Sequence, residues 1–291
     1  MNNSEILFLY DAKLTNPNGD PDEENRPRMD YERGINMVSD LRLKRYVRDY
    51  LADQGYPLFV QKMDGSPVTA ETRIKKLGTS NDQEILDQLI DVRLFGATMP
   101  IAKDNKQFIG PVQFNWGYSL NTVKVLESSI TSTFASSDNN KQGAIGKDFR
   151  VAYSFIAFSG VISANRGKAT SLKEEDIAEL DRALRYAIPL QVTRSKIGQY
   201  PRLYLRVEYK SDMTILGDMR DYISLKEKTE DIRDISETAL EVGKLVDFLK
   251  ENIGKIDSIH YFCDSKCILL NHDVEVTFQQ AFDGFTLIEV E

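Results

Sequence analysis

Residues 5–28 read EILFLYDAKLTNPNGDPDEENRPR, and the change of character inside that stretch sets the fold. The first six residues are a short apolar run, followed by turn chemistry, of the kind that forms a buried strand. Three of the chain's nine prolines, Pro17, Pro21 and Pro27, then stiffen a charged loop. Proline fixes φ, removes a backbone donor and disfavours the α region in the residue before it. The loop leads to a basic helix expected over residues 37–53, where Leu43, Tyr46, Val47, Tyr50 and Leu51 share one apolar face. Lys44, Arg45 and Arg48 are expected to point away from that face, and Leu41 lies among them.

Downstream, residues 82–91 read as a helix capped by Ser80 or Asn81, and the Ser/Thr/Asn/Gly-rich residues 127–148 read as a loop. RVAYSFIAFSGVI (150–162) is a strand, and RLYLRVEY (202–209) another. SLKEEDIAELDRALRYAI begins at Ser171 with Glu174 in capping-box position. A third helix is expected over 235–252, followed by several short strands over 256–290. This order suits an α+β fold, a single domain over 1–291 with helices on one face of the sheet, in a ferredoxin-like arrangement.

The 291 residues carry a formal net charge of −8, 41% hydrophobic residues and two cysteines. This composition suits a globular protein of the reducing cytoplasm rather than a disulfide scaffold. No apolar run approaches the roughly 20 residues that cross a bilayer, so no membrane role is expected. The charge is uneven. Between residues 26 and 48 Arg26, Arg28, Arg33, Arg42, Lys44, Arg45 and Arg48 outnumber Asp30, Glu32 and Asp40, a local excess of four on an acidic body. Two further basic, hydroxyl-bearing stretches are NRGK (165–168), with Arg166 and Lys168, and VTRSKIGQYPR (192–202), with Thr193, Arg194, Ser195 and Lys196. Such side chains neutralise and hydrogen-bond phosphates. Tyr200, Phe108, Phe114 and Trp116 are candidate stacking faces, ranked behind a core role.

Little points to catalysis. His260, Cys263, Cys267 and His272 are zinc-ligand types. However, IDSIHYFC and CILLNHD read as hairpin strands on which His260 and Cys263, three apart, project to opposite faces. The expectation is therefore no metal and no cofactor. Asp20, Asp22, Glu23, Glu24 and Asp30 lack EF-hand spacing and read as solvated surface. Neither a dinucleotide fingerprint nor a Walker loop occurs.

An apolar strand running into NPNGDP, then NRPRMD and SDLRLKRYVRDYL, resembles the backbone subunit of type I CRISPR Cascade complexes, subtype I-B nearest. These belong to the repeat-associated mysterious protein (RAMP) superfamily. RLFGA (93–97), IGPVQFNWGYSLN (109–121) and TRSKIGQYPRLYLRVEY (193–209) resemble it too. The resemblance implies an RNA-recognition-type palm with insertions at about 54–92 (fingers) and 97–149 (thumb and mobile loop), the thumb centred on 98–118. It implies a non-catalytic, oligomeric crRNA-binding scaffold that presents the guide to target DNA. Its implied partners are copies of itself, other Cascade subunits and a separate helicase-nuclease. Family RNA contacts carry over to Arg42, Lys44, Arg45, Arg194, Ser195 and Lys196, while Arg26 and Arg28 fall either to the RNA track or to a contact between copies. The alternative is a type III-like backbone ribonuclease using a loop aspartate, with Asp20, Asp22 and Asp30 the nearest positions.

Overall fold

The structure, a computed structural model, describes residues 1–63, 65–99, 105–135 and 143–291; of residues 132–135 and 143–145 it describes the backbone alone. The expected thumb over 98–118 and the expected loop over 127–148 thus fall partly outside the described residues.

The elements that position the site are β1 (Ser4–Thr15), α1 (Asp40–Asp53), β2 (Val112–Phe114), β3 (Gly117–Ser119), β4 (Val125–Ala135), β5 (Gly143–Ile162), α2 (Glu174–Tyr186), β6 (Gln199–Tyr209), β7 (Ile256–Cys263) and β8 (Leu287–Glu289). They build a mixed α+β architecture around a large sheet with spatial order β8-β7-β6-β1-β5-β3, continued by Ile35–Val38 and Met29–Asp30, with β2 and β4 also pairing with β5. β1 is antiparallel to both β5 and β6.

Why ILFLY (6–10) is apolar throughout is now plain. Alternate side chains of a strand face opposite ways, and both faces of β1 are covered. Ile6, Phe8, Tyr10 and Ala12 pack with Leu43, Tyr46 and Val47 of α1 and with Ile177, Leu180 and Leu184 of α2. Leu7 and Leu9 join a second core on the other face with Leu245, Val246 and Leu249 of helix Gly243–Glu251 and with Phe278 and Phe282. A third, smaller cluster (Phe59, Ile74, Ile85, Leu86, Leu89) holds the segment between α1 and β2.

The expected strands are longer than read, and four other expectations change. The Ser/Thr-rich stretch expected as a loop forms β4, whose residues from Val125 to Ala135 pair with β5 from Val151 back to Gly143. Ser171 is no helix cap: it has φ +54, and the helix starts at Glu174, where the Lys173 N–H donates to Asp176. The helix expected over 235–252 is confined to Gly243–Glu251, because Thr238–Glu241 runs as a strand in a second, four-stranded sheet. IDSIHYFC and CILLNHD are not a hairpin: β7 lies in the large sheet and Leu269–Asn271 in the small one.

Buried ion pairs tie the layers together. Arg206 of β6 donates from Nε and Nη2 to Asp181 of α2, which also accepts from the Tyr204 hydroxyl. Arg93 makes a two-pronged contact at 2.7 Å with Asp176 at the start of α2. Removing one partner of a buried pair leaves an uncompensated charge. Arg206→Ala is therefore expected to lower the unfolding free energy by roughly 3–5 kcal/mol in a denaturant titration. Arg182→Ala, at an exposed pair with Glu179, is expected to cost less than about 1 kcal/mol.

Candidate nucleic-acid interface

The proline-rich loop after β1 is a folded object. Gly19–Asp20 pairs antiparallel with Arg26–Pro27 around a 3-10 turn at Pro21–Glu23, where the Asp20 carboxylate accepts the Asp22 N–H. Glu24 and Asn25 close the turn in the left-handed region. A Cβ on Gly19 would lie 1.9 Å from the Asn25 side-chain oxygen and 3.0 Å from its carbonyl oxygen, so a larger residue there would displace the Asn25 side chain. Arg28 binds Asp20 at 2.6 Å. The Asn18 side-chain oxygen accepts both the N–H and the hydroxyl of Ser39, and Ser39 in turn caps α1 by accepting the Arg42 N–H. The loop thereby fixes where α1 starts and where Arg42 stands.

A second loop, 193–198, docks beside the first. The Asn16 N–H donates to the Ser195 carbonyl at 3.0 Å and the Lys13 N–H to the Gly198 carbonyl at 2.9 Å. Gly198 has φ +101, and a Cβ there would lie 2.6 Å from the Lys13 carbonyl oxygen. Lys196 turns inward and donates to the carbonyls of Asn16 and Pro17. Burial, and then the neighbouring Arg42 charge, push its pKa down to about 7. The Arg42 guanidinium lies over the Tyr46 ring at 4.1 Å. Arg150 at the base of the ribbon donates to the carbonyls of Leu14 and Arg194 and pairs with Asp148 at 2.7 Å. Arg194 shares Asp148 at 3.0 Å, with its side chain 59% exposed. Alongside, Arg26 stacks over Phe149 and pairs with Glu127, and Arg28 faces Trp116. Trp116 and Tyr200 stay exposed, whereas Phe114 is core.

One end of β1 therefore gathers Arg26, Arg28, Arg42, Thr193, Arg194, Ser195 and Lys196, together with Arg150, which the sequence reading passed over. Other expected residues are placed elsewhere. Lys44 does not point away from the core: it is 6% exposed, donates to Asp40 and Gln113, and sits near the Phe95 ring. Arg48 is likewise drawn inward, onto the buried Asp91 at 3.1 Å. Arg45 is on the outer side of α1, paired with Asp49 at 2.8 Å. Arg166 and Lys168 follow Ile162, which pairs with Ser4, whereas Thr15 pairs with Val151. They thus lie at the opposite end of β1, roughly 37 Å away at about 3.4 Å per residue. Lys168 pairs there with Asp212.

The His/Cys residues do not converge. His260 stands between Asp181 and Glu208, His272 pairs with Asp247, and Cys263 contacts Cys267. No cluster suited to a metal ion occurs among the described residues. Two of the three aspartates of the alternative reading are engaged as well: Asp20 by the Asp22 N–H and Arg28, and Asp30 by the N–H groups of Glu32 and Arg33, while the Asp22 carboxylate has no such partner among the described residues.

The family model of CRISPR-associated protein Cas7 matches residues 2–243. A curated CRISPR-associated protein Cas7 from Haloferax volcanii is 34% identical over 299 residues, spanning 91% of this chain and 88% of that protein. Among solved structures, a chain of a CRISPR RNA-guided surveillance complex in a pre-nicking state matches with a TM-score of 0.59 at 11% identity, over 99% of this chain and 96% of that one. A chain of another CRISPR RNA-guided surveillance complex matches at 0.51 and 15% identity, over 89% and 88%. At those identities the two structures report a shared fold. Sequence and fold agree: the chain belongs to the Cas7 family of CRISPR-associated proteins.

Proposed function

We propose that the protein is a non-catalytic, crRNA-binding backbone subunit of a type I Cascade effector, subtype I-B nearest, in which copies line up along the guide and present it to target DNA. Other Cascade subunits and a separate helicase-nuclease complete the system. The observation that carries this reading is the meeting of Arg42, Arg150 and the 193–196 loop at one end of β1. The strand–helix–strand–strand–helix–strand order, with β6-β1-β5-β3 adjacent and α1 and α2 on one face, supports an RNA-recognition-type palm. On this reading residues 54–92 are the fingers and 97–149 the thumb.

The chemistry follows from the groups present. Arg42 and Arg194 supply charge to phosphates, while Thr193 and Ser195 supply hydroxyls; Arg26, Arg28 and Arg45 extend the track. Lys196, Arg150 and Asp148 hold the loop in place from behind. Contacts of this sort fix the strand's path without reading its bases, which leaves the bases to pair with target. The non-catalytic assignment is supported by the engagement of Asp20 and Asp30 in turn and ion-pair contacts. No helix among the described residues is long and apolar enough to cross a membrane.

Three outcomes test this. In the Arg42→Ala, Arg194→Ala double variant, RNA affinity should fall and the slope of log K against log salt should shrink by roughly 1.4, about 0.7 per single-strand phosphate contact. An unchanged slope would remove both residues from the interface. Lys44→Met should leave that slope intact and instead destabilise the fold by about 1–3 kcal/mol, because Asp40 and Gln113 lose their partner. Complementary RNA incubated with the assembled complex and a divalent cation should remain full length. Regular cuts that vanish in Asp20→Asn, Asp22→Asn or Asp30→Asn would instead establish a ribonuclease.

A further inference from the structure

A cavity of about 300 Å³ lies between Arg45 of α1 and residues 59–62, 67–70 and 73. Its described lining includes three cations, Arg45 of α1, Lys62 of the connecting segment and Arg73, and no carboxylate, though Arg45 also pairs with Asp49 along α1. On a chain with 45 acidic and 37 basic residues, that is an unusual local composition.

Arg73 is the informative member. Among the described residues five arginines are buried: Arg73, Arg93, Arg202, Arg206 and Arg220. Four of them meet a carboxylate, respectively Asp176, Asp11 with Asp264, Asp181, and Asp218. Arg73, 9% exposed, has no carboxylate within ion-pair distance among the described residues. Its Nε and Nη2 donate to the Leu58 carbonyl, and burial pushes its pKa down. The carboxylate that acts on it, Asp91, lies beyond ion-pair distance and is already taken by Arg48 and by the Phe59 and Val60 N–H groups, so it offsets the burial only in part. A buried charge so weakly compensated is costly, and Arg73 borders an open cavity where an anion would offset that cost. Lys62, on the exposed segment before Pro67, brings a second charge. Arg45 sits on α1 three residues after Arg42, so the two are neighbours on the helix surface and the cavity continues the interface already described. The half-exposed Val60 and Val68 add apolar rim. The volume is several times the roughly 30 Å³ of a water, room for a phosphate with its flanking ribose.

We propose that this cavity binds a phosphodiester of the nucleic-acid strand running past Arg42, with Arg73 and Lys62 as phosphate partners and Arg45 contributing from α1. The inference rests on the nucleic-acid reading above and adds a second anchoring point on the insertion that follows α1. The strand is either the guide or the complementary target, which share the same backbone chemistry.

The test uses the full chain and the variants Lys62→Gln and Arg73→Met, each checked by thermal melting, with Arg73→Lys as the charge-conserving control. Salt slopes are measured in two arms: single-stranded guide RNA binding to the protein, and a complementary DNA strand binding to the protein–RNA assembly. Lys62 is exposed, so Lys62→Gln reports even if Arg73→Met fails to fold. Lys62→Gln should reduce the slope by roughly 0.7 in at least one arm. The arm that changes identifies the strand, and Arg73→Lys should keep the wild-type slope. Wild-type slopes in both arms for Lys62→Gln would overturn the site while leaving the interface at Arg42 and Arg194 standing. So would protection of the cavity by inorganic phosphate with no slope change in either arm. Failure of the wild-type protein to bind RNA at all would overturn both readings.

Discussion

Buried carboxylates decide which cations of this acidic chain are left for a polyanion. Asp91, Asp11, Asp176 and Asp181 are 1–4% exposed, and arginines close on each: Arg48, Arg202, Arg93 and Arg206. Taking a carboxylate out of water unpaired is far more costly than holding it against a guanidinium with its hydrogen bonds filled. These pairs also join layers: Asp91 accepts the N–H groups of Phe59 and Val60, fastening the insertion to α1, and Asp181 links α2 to β6. The proposed interface is thus what remains after the interior has been neutralised. Arg42 and Arg194 belong to that remainder; Arg48 does not.

The parts of the fold that follow from local chemistry were legible. β1, α1 and the strand after Arg150 announce themselves because burial on both faces, or on one helical stripe, imprints a pattern within a few residues. The ribbon of β4 and β5 left no such imprint. Its outer part extends beyond the core, with residues 126–131 exposed, so Ser and Thr serve as well as apolar residues and the stretch looks like a loop. Its partners are set by the ladder, not by local sequence. The helix start at Glu174 was hidden for a related reason: Asp176 both caps α2 and receives Arg93, a residue 83 positions away.

The site was legible to a similar depth. A helical wheel separates apolar from polar, and on that measure Lys44 and Arg48 belong outside. What turns them inward is a flank made by distant chain, with Gln113 and Asp91 lying 69 and 43 residues from their partners. Arg150 was missed for the same reason, since its acceptors Leu14 and Arg194 lie 136 and 44 residues away. By contrast, Arg42 and the 193–196 stretch sit at element ends marked by a cap and by a glycine with positive φ, and both signals are local.

The stiff loop after β1 explains why the cluster is placed rather than merely present. A flexible connection would let the start of α1 wander relative to the sheet, and Arg42 with it. Instead, prolines and a turn packed closely around Gly19 hold Asn18 where its side-chain oxygen takes two donors from Ser39. The Asn16 and Pro17 carbonyls in the same loop accept from Lys196, and Asn16 donates its N–H to the Ser195 carbonyl and its side-chain amide to the Asn25 carbonyl. One rigid segment therefore sets the positions of both basic groups at once. On the proposed reading, cations held by a common strut leave less ordering to do on the protein's side when a phosphate backbone binds.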